Sequence, residues 1–236
     1  MKNWKINCDM GEGMQNDAEI MPLIDQCNIA CGGHAGDIAS MKKTVALAQE
    51  YQVEIGAHPS FPDRAGFGRV ALKMKSSELS ASLKAQVDSL KSICEQAGTK
   101  IHHIKPHGAL YNNACEDQEL ADIIVDLMKN YPRTLLLAPW ESLLAKSARK
   151  ARIKVMYEAF ADRKYKSDMS LVGRSDNRAI ITRPEIAMSQ LLSIATHDQV
   201  VPLEGEAIDI KASTFCVHSD NPNVLQILKM LNGLKE

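Results

Sequence analysis

Short runs of apolar residues alternate along this chain with longer stretches in which apolar positions recur every three or four residues. The short runs have the length and composition of buried strands, and the longer stretches have the period of helices that bury one face. Seven short runs stand out, at 5–9, 28–31, 53–57, 101–105, 134–138, 154–158 and 212–217. Strands that alternate with helices are typical of a parallel sheet, because each crossover helix returns the chain to the same edge.

The longer stretches contain identifiable helix faces and ends. The clearest face consists of Leu79, Leu83, Val87, Leu90 and Cys94. Gly98 is placed to end that helix, and Asp37 is placed to cap the helix after the second strand. Residues 182–185 have the spacing of a capping box, with Pro184 in the first helical turn. We therefore expect helices between the strands.

The pattern predicts an α/β fold, a closed (β/α)7-type TIM-like barrel, with one unit fewer than the common eight. An open doubly wound sheet is the alternative, since periodicity alone does not show closure. We expect one domain over residues 1–236. Short strand-like segments at 171–172, 179–182 and 200–202 predict a small β-ribbon inserted within 165–211.

Composition excludes several classes of partner. The 236 residues carry a formal net charge of −1, with 45% hydrophobic and 24% charged residues, which is ordinary for a globular protein. A near-neutral chain has no long-range attraction to nucleic acid or to an anionic membrane. The first residues turn polar too early for a secretory signal, and the six cysteines lack a disulfide framework. We expect reduced thiols and a cytoplasmic location.

Nearly every predicted strand ends at, or just before, a side chain suited to acid–base, metal or hydrogen-bond chemistry. These side chains are Asp9, Glu12, His34, His58, Lys105, His107, Tyr111, Glu141, Glu158, Asp162, Arg163 and His218, and Asn28 begins the second run. Because the carboxyl ends of parallel strands form one rim, we expect the groups to converge on one pocket. Burying so many polar groups without a partner would be costly, which favours a functional site.

Some of these positions also have structural explanations. Asp37 and Asp220 each precede a predicted helix, so an N-cap role alone would explain them, while His102 alternates with His103 and can point outward. The chain has neither the phosphate-loop pattern G-x-x-x-x-G-K-[ST] nor the dinucleotide pattern G-x-G-x-x-G. No nucleotide site of a familiar kind is therefore predicted from motifs.

The same segments resemble the signature blocks of the LamB/YcsF family. In chain order the blocks are NCDMGE at 7–12, NIACGGHAGD at 28–37, GAHPS at 56–60, GFGR at 66–69, KPHGALYN at 105–112, EAFADR at 158–163 and CVHSDNP at 216–222. They run in order over nearly the whole chain, and a block as long as KPHGALY is rarely matched by chance.

This resemblance implies a barrel related to the glycoside hydrolase/deacetylase barrels. It also implies ATP-dependent opening of 5-oxo-L-proline (pyroglutamate) to L-glutamate, together with two partner subunits, B and C. In that scheme ATP acts through the complex: the partners activate the lactam by phosphorylation, and the family member completes the hydrolysis.

Lactam opening requires a directed water, a stabiliser for the oxyanion and an acid for the leaving nitrogen. We predict that Asp9 or His58 activates the water, Lys105 neutralises negative charge, and His107 protonates the nitrogen. Arg69, Arg163 and Arg174 are candidates for the substrate carboxylate, since a guanidinium binds it in bidentate fashion. The other predicted substrate-binding residues are Glu12, Asn28, His34, Asp37, Tyr111, Glu158 and His218.

Two other functions remain open at this point. Asp9, His34 and His58 are candidates for a mixed nitrogen and oxygen site for a divalent metal, as in a deacetylase or amidohydrolase that acts alone. A non-catalytic scaffold subunit that holds partners is the third hypothesis.

Overall fold

A computed structural model describes residues 4–234 and shows a closed barrel of seven parallel strands. The barrel strands are β1 (Lys5–Met10), β2 (Gln26–Ala30), β3 (Glu54–His58), β4 (His103–Ile104), β5 (Leu135–Pro139), β6 (Val155–Phe160) and β9 (Thr214–Cys216). Strand β9 closes the ring, because Thr214 pairs with Lys5 on one side and with Glu158 on the other. The predicted barrel is confirmed, and the open doubly wound sheet is excluded.

Each predicted barrel strand is present, with ends that differ by two residues at most. The helices are α1 (Asp17–Ile20), α2 (Ile38–Glu50), α3 (Ser76–Gln96), α4 (Gly108–Ala114), α5 (Gln118–Lys129), α6 (Leu143–Lys150), α7 (Pro184–His197) and α8 (Val224–Asn232), with a 3-10 turn at Met21–Leu23. None of the helices within residues 4–234 is long and apolar enough to cross a membrane.

Of the three helix caps predicted from the sequence, one is confirmed and two are wrong. The Asp37 carboxylate accepts from the backbone N–H of Ser40, and the Ser40 hydroxyl accepts from the N–H of Asp37, so the predicted cap of α2 is confirmed. The predicted box at 182–185 is wrong, because α7 begins at Pro184 with Arg183 in the cap position and no side-chain cap. Asp220 does not cap α8, which has Asn223 in that position.

The segment between α7 and β9 holds a small two-stranded sheet. Strands β7 (Gln199–Val200) and β8 (Ile208–Asp209) pair in antiparallel fashion. The other two strand-like segments form isolated bridges, Tyr165 with Leu171 and Arg163 with Ile180, instead of strands. Each bridge joins a single pair of residues, so neither segment forms a strand.

The apolar core lies between the outer barrel face and the helices. Alternate residues of β1 point to opposite faces, so Ile6 and Cys8 are fully buried among apolar neighbours while Asn7 lies inside the barrel. Helix α3 contributes its predicted face, with Leu83 and Leu90 completely buried. Burying a leucine side chain contributes about 1.5–3 kcal/mol, so this layer is the main source of stability.

The barrel interior is polar, in contrast to the outer layer. The Asn7 amide donates to the Thr214 hydroxyl at 2.9 Å, and that hydroxyl donates to the Gln26 side chain at 2.7 Å. The Asn28 amide donates to the Asn7 side-chain oxygen at 2.8 Å, and His103 Nε2 donates to the Asn28 oxygen at 2.8 Å. This hydrogen-bonded column satisfies groups that would cost about 1–3 kcal/mol each if buried unpaired, and it leads directly to the rim.

Candidate active site at the carboxyl ends of the strands

A cavity of about 560 Å³ opens at the carboxyl ends of the barrel strands. The predicted site residues that line it are Asp9, Glu12, His58, Arg69, Lys105, His107, Tyr111, Glu158, Arg163 and His218. The expected convergence is therefore observed for these residues. Asn28 lies beneath the cavity and His34 lies behind its wall, both buried. Asp37 is exposed and caps α2, away from the cavity.

Lys105 occupies the centre of the cavity floor. Its Nζ lies 3.1 Å from Asp9 Oδ1 and 2.9 Å from Glu158 Oε1, with all three side chains at least nine-tenths buried. Asn7 Oδ1 at 3.3 Å and Cys216 Sγ at 3.2 Å complete the surroundings of the ammonium. Strands from opposite sides of the ring thus hold one buried cation between two carboxylates.

Neighbouring opposite charges control the ionisation of Lys105 and of Asp9. Burial by itself lowers the pKa of Lys105, but the charges of Asp9 and Glu158 outweigh burial and hold it well above its usual value. Burial likewise raises the pKa of Asp9, but His58 and Lys105 more than offset this and hold it well below its usual value. The site therefore presents an ammonium and a carboxylate side by side at neutral pH.

Tyr111 and Glu158 form a second contact on the cavity wall. The Tyr111 hydroxyl donates to Glu158 Oε2 at 2.6 Å. Burial, reinforced by the charge of Glu158, raises the pKa of Tyr111 well above its usual value, so the hydroxyl keeps the proton that it donates. One Glu158 oxygen faces Tyr111 and the other faces Lys105, which positions the ammonium.

Two imidazoles meet edge to edge beside Asp9. His58 Nδ1 lies 2.7 Å from the carbonyl oxygen of Lys105, and His107 Nε2 lies 2.9 Å from the carbonyl oxygen of Phe67. A carbonyl only accepts, so both of these nitrogens carry hydrogen. The other nitrogens, His58 Nε2 and His107 Nδ1, lie 3.0 Å apart, and His58 Nε2 is also 3.4 Å from Asp9 Oδ1.

A buried pair of Glu12 and His34 lies behind these rings. His34 Nε2 is 2.8 Å from Glu12 Oε1, and the His34 ring stacks on His107 with 3.6 Å between centroids. Burial, followed by His58, lowers the pKa of His34 to about 3. Burial, followed by the charge of Asp9, raises the pKa of Glu12 to about 7. His34 is therefore a neutral ring at physiological pH.

Two groups of described residues have donor atoms close enough to share a metal ion. One consists of Glu12, His34, His58 and His107, and the other of Asp9, Cys216 and His218. The triad predicted from the sequence, Asp9 with His34 and His58, is divided between them. The spacing of the predicted strands did not indicate that Glu12 joins the histidines, because the loop that carries Glu12 folds back over the second and third strand ends.

Two glycines allow the loop at 66–69 to pack against these histidines. Gly68 has φ +63°, and a Cβ there would lie 2.9 Å from His34 Cβ and 3.0 Å from His107 Cδ2. Gly108, at the start of α4, has φ +56° and would place a Cβ 2.6 Å from the Gly68 carbonyl oxygen. Glycine at both positions avoids a left-handed strain and a clash, so the Phe67 carbonyl reaches His107.

The three candidate arginines differ in their hydrogen-bond and ion-pair partners. Arg163 is buried and donates to the carbonyls of Val172 at 2.7 Å and Ala179 at 3.4 Å, so it holds the loop after β6. Arg69 and Arg174 each approach Asp220 Oδ2 at 2.8 Å near the cavity mouth. Two guanidinium groups on one carboxylate leave a net positive charge there.

Two residues that support the site, Asp162 and Asn7, were not given a role from the sequence. Asp162 is fully buried and accepts from His218 Nδ1 at 2.9 Å, from the His218 backbone N–H at 3.0 Å and from the Asn221 amide at 3.1 Å. Because Nδ1 is used in this contact, Nε2 is the ring nitrogen by which His218 can act in the cavity that it lines. Asp162 lies next to Arg163 just after the sixth strand. Adjacent polar residues at a strand end point to opposite faces, which indicates that one of them supports the residues that line the cavity. Asn7 had a similar signal, two residues before Asp9.

The fold and the site define an α/β-barrel protein whose rim cavity carries a paired lysine, carboxylates and imidazoles suited to acid–base chemistry. The chain belongs to the LamB/YcsF family, whose model matches residues 4–235.

Similar proteins extend this assignment. The chain is 40% identical over 232 residues to the A subunit of 5-oxoprolinase from Haemophilus influenzae, covering 98% of this chain and 95% of that protein. It is also 40% identical to the protein of the same name from Vibrio cholerae, covering 97% and 96%. The crystal structure of the lactam utilization protein from Thermus thermophilus superposes with a TM-score of 0.91 at 34% identity, covering 100% and 98%.

Proposed function

We propose that this protein opens the five-membered lactam 5-oxo-L-proline by hydrolysis, giving L-glutamate, as one component of a 5-oxoprolinase. The observation that carries the proposal is the buried ammonium of Lys105, held 3.1 Å from Asp9 and 2.9 Å from Glu158 on the floor of the cavity. A buried cation that is fixed before substrate arrives can stabilise a developing oxyanion strongly, because little solvent reorganises around it. The names of the relatives support the substrate class.

In the proposed reaction a water oxygen bonds to the lactam carbonyl carbon and the ring carbon–nitrogen bond breaks. Asp9 orients the water and accepts its proton, while Lys105 neutralises the charge that forms on the carbonyl oxygen. Asn28 donates to Asp9 Oδ1 at 2.8 Å and keeps that carboxylate in place. The substrate-binding role predicted for Asn28 thus becomes a positioning role.

The leaving nitrogen needs a proton, and we assign this step to His218. His107 was the donor predicted from the sequence, but both of its ring nitrogens are engaged, one with Phe67 and one with His58. His218 has Nδ1 fixed by Asp162 and its Nε2 available to the cavity. Arg69 and Arg174 are our candidates for the substrate carboxylate, since Arg163 is committed to backbone carbonyls.

We further propose that ATP acts through a complex with subunits B and C. A lactam is a resonance-stabilised amide that water attacks slowly, and transfer of the terminal phosphoryl group of ATP to its oxygen makes the carbon a better electrophile. Addition of water and cleavage of the carbon–nitrogen bond then leave an acyl phosphate, whose negative charge Lys105 neutralises, and a second water releases inorganic phosphate and gives L-glutamate. The chain carries neither of the two phosphate-binding fingerprints, so we assign ATP use to the partners. All six cysteines are free in the structure, which supports a reducing cytoplasmic location.

The test is glutamate release from 5-oxoproline by the chain co-expressed with the two candidate partners, with and without ATP. Lys105→Met removes the ammonium, and we expect at least ~100-fold slower turnover in an assembled complex. Lys129→Met is the matched control, because Lys129 is an exposed residue of the outer helix α5. Circular dichroism and gel filtration check that each variant folds and assembles.

A scaffold role gives the opposite result. If the chain only holds its partners, the assembled Lys105→Met complex releases glutamate at the rate of the Lys129→Met complex, and the proposal fails.

A further inference from the structure

A hydrogen bond between the facing nitrogens of His58 and His107 would need a second hydrogen on one of the two rings. His58 donates its Nδ1–H to the carbonyl of Lys105, and His107 donates its Nε2–H to the carbonyl of Phe67. With one hydrogen on each ring, His58 and His107 turn lone pairs toward each other across 3.0 Å, between planes at 85°. Two lone pairs at this distance repel each other, so a positive centre must lie between them, either a second proton on one ring or a bound cation.

A carboxyl oxygen completes the same set of donors. Glu12 Oε1 lies 3.5 Å from His107 Nδ1, and the Glu12 side chain is 6% exposed. Around a tetrahedral zinc ion, neighbouring donor atoms are about 3.3 Å apart, because each lies about 2.0 Å from the metal. The separations of 3.0 and 3.5 Å lie on either side of this value.

We propose that His58 Nε2, His107 Nδ1 and Glu12 Oε1 bind a divalent cation on the cavity wall. All three residues line the cavity, so the remaining coordination positions face the space where substrate enters. Three protein ligands with an open position are typical of catalytic sites, whereas structural sites are closed by four.

The second layer has the form that metal-binding histidines require. A ligating imidazole commonly donates its other N–H to a carbonyl or carboxylate, which fixes the ring and its tautomer. Both rings do so here, to Lys105 and Phe67. His34 belongs to the same group of close donor atoms, but its Nε2 already contacts Glu12 Oε1 at 2.8 Å and its ring is stacked parallel to His107. We assign it to holding Glu12.

Local charge also favours a cation. Asp9, Glu12 and Glu158 are three buried carboxyl groups around the cavity, and the ammonium of Lys105 is paired with Asp9 and Glu158. Asp9 also lies 3.4 Å from His58 Nε2. Two imidazole nitrogens with one carboxylate suit borderline metals, so zinc is the ion to test, whereas magnesium and calcium prefer oxygen ligands.

The experiment titrates zinc into chelator-treated full-length protein by calorimetry, with elemental analysis after desalting. We expect one equivalent to bind, and we expect His58→Gln and His107→Gln each to weaken binding at least ~100-fold. His197→Gln is the matched control, since His197 is exposed at the end of α7. Circular dichroism identifies any variant that does not fold, and Glu12→Gln then provides an independent ligand change.

Failure to bind zinc, or equal binding by the three ligand variants and the control, overturns the proposal. The positive centre would then be a proton shared by the two rings, visible as a downfield imidazole N–H resonance in the metal-free protein. The measurement uses no substrate, so it fails or succeeds independently of lactam opening.

Discussion

Lys105 illustrates how single residues determine the properties of this site. Its ammonium is stable in the interior only because Asp9 and Glu158 flank it, at 3.1 and 2.9 Å. Removing one partner of a buried ion pair commonly costs about 3–5 kcal/mol, since the remaining charge stays desolvated. The Tyr111 hydroxyl, 2.6 Å from Glu158, limits how that carboxylate moves. We therefore expect Tyr111 to affect catalysis through Lys105.

We expect Tyr111→Phe to lower kcat by about 10-fold with little change in KM, because a lost hydrogen bond to a charged group is worth about 1.5–3 kcal/mol and water replaces part of it. Steady-state glutamate release by the assembled complex measures both constants. Tyr51→Phe is the control, since Tyr51 is 43% exposed. A Tyr111→Phe complex with normal kcat would show that the hydroxyl does not position the site.

At the scale of elements, strand β3 approaches β4 closely inside the barrel. A Cβ at Gly56 would lie 2.0 Å from His103 Nε2, the atom that donates to Asn28. Glycine is required there so that His103 can fill the interior and hold the polar column under Asp9.

Gly56→Ala should destabilise the protein by about 1–3 kcal/mol, the usual cost of overpacking a filled interior. Urea unfolding followed by circular dichroism gives the free energy of unfolding. Gly233→Ala is the control, because a Cβ there meets nothing closer than 3.6 Å. Equal midpoints for the two variants would contradict the packing argument.

The side chain of Asp162, just after β6, is hydrogen-bonded to the segment between β9 and α8. Burial raises its pKa, but His218 and the hydrogen bonds from His218 and Asn221 outweigh burial and hold it below its usual value. A lowered folded-state pKa stabilises the fold above the unfolded value of about 3.9, and this contribution is lost as pH falls through the folded pKa.

Asp162→Asn should therefore be less stable than the wild type near pH 7, and the difference should shrink as the pH falls below about 4. Chemical unfolding at a series of pH values from neutral down to about 3 tests this. A difference that stays constant over that range would mean that the charge of Asp162 does not contribute.

The strands were predictable because a buried parallel strand leaves a short apolar run, and all seven runs correspond to barrel strands. Helix starts were less predictable. Thr182 has the spacing of a cap, but Pro184 fixes the first helical residue and moves the cap position to Arg183. The bridges at Leu171 and Ile180 depend on contacts with the loop after β6, which no local pattern records.

For the whole molecule, the common rim follows from topology, since parallel strands place their carboxyl ends together. Sequence reasoning could therefore bring Asp9, His58 and Lys105 to one cavity. It could not predict that His58 and His107 face each other or that Asp162 supports His218, because those contacts depend on ring orientation and loop path. The sequence predicted Asp37 as a cap but could not show that it lies away from the cavity, since the same residue suits a cap and a ligand.

The most direct test of the central claim is the rate of glutamate formation from 5-oxoproline and ATP by an assembled complex that carries Asp9→Asn. Asparagine keeps the shape of the side chain but removes the charge that pairs with Lys105 and accepts the proton of water. The account predicts at least ~100-fold slower release with normal assembly. A rate within about twofold of the wild type would contradict it.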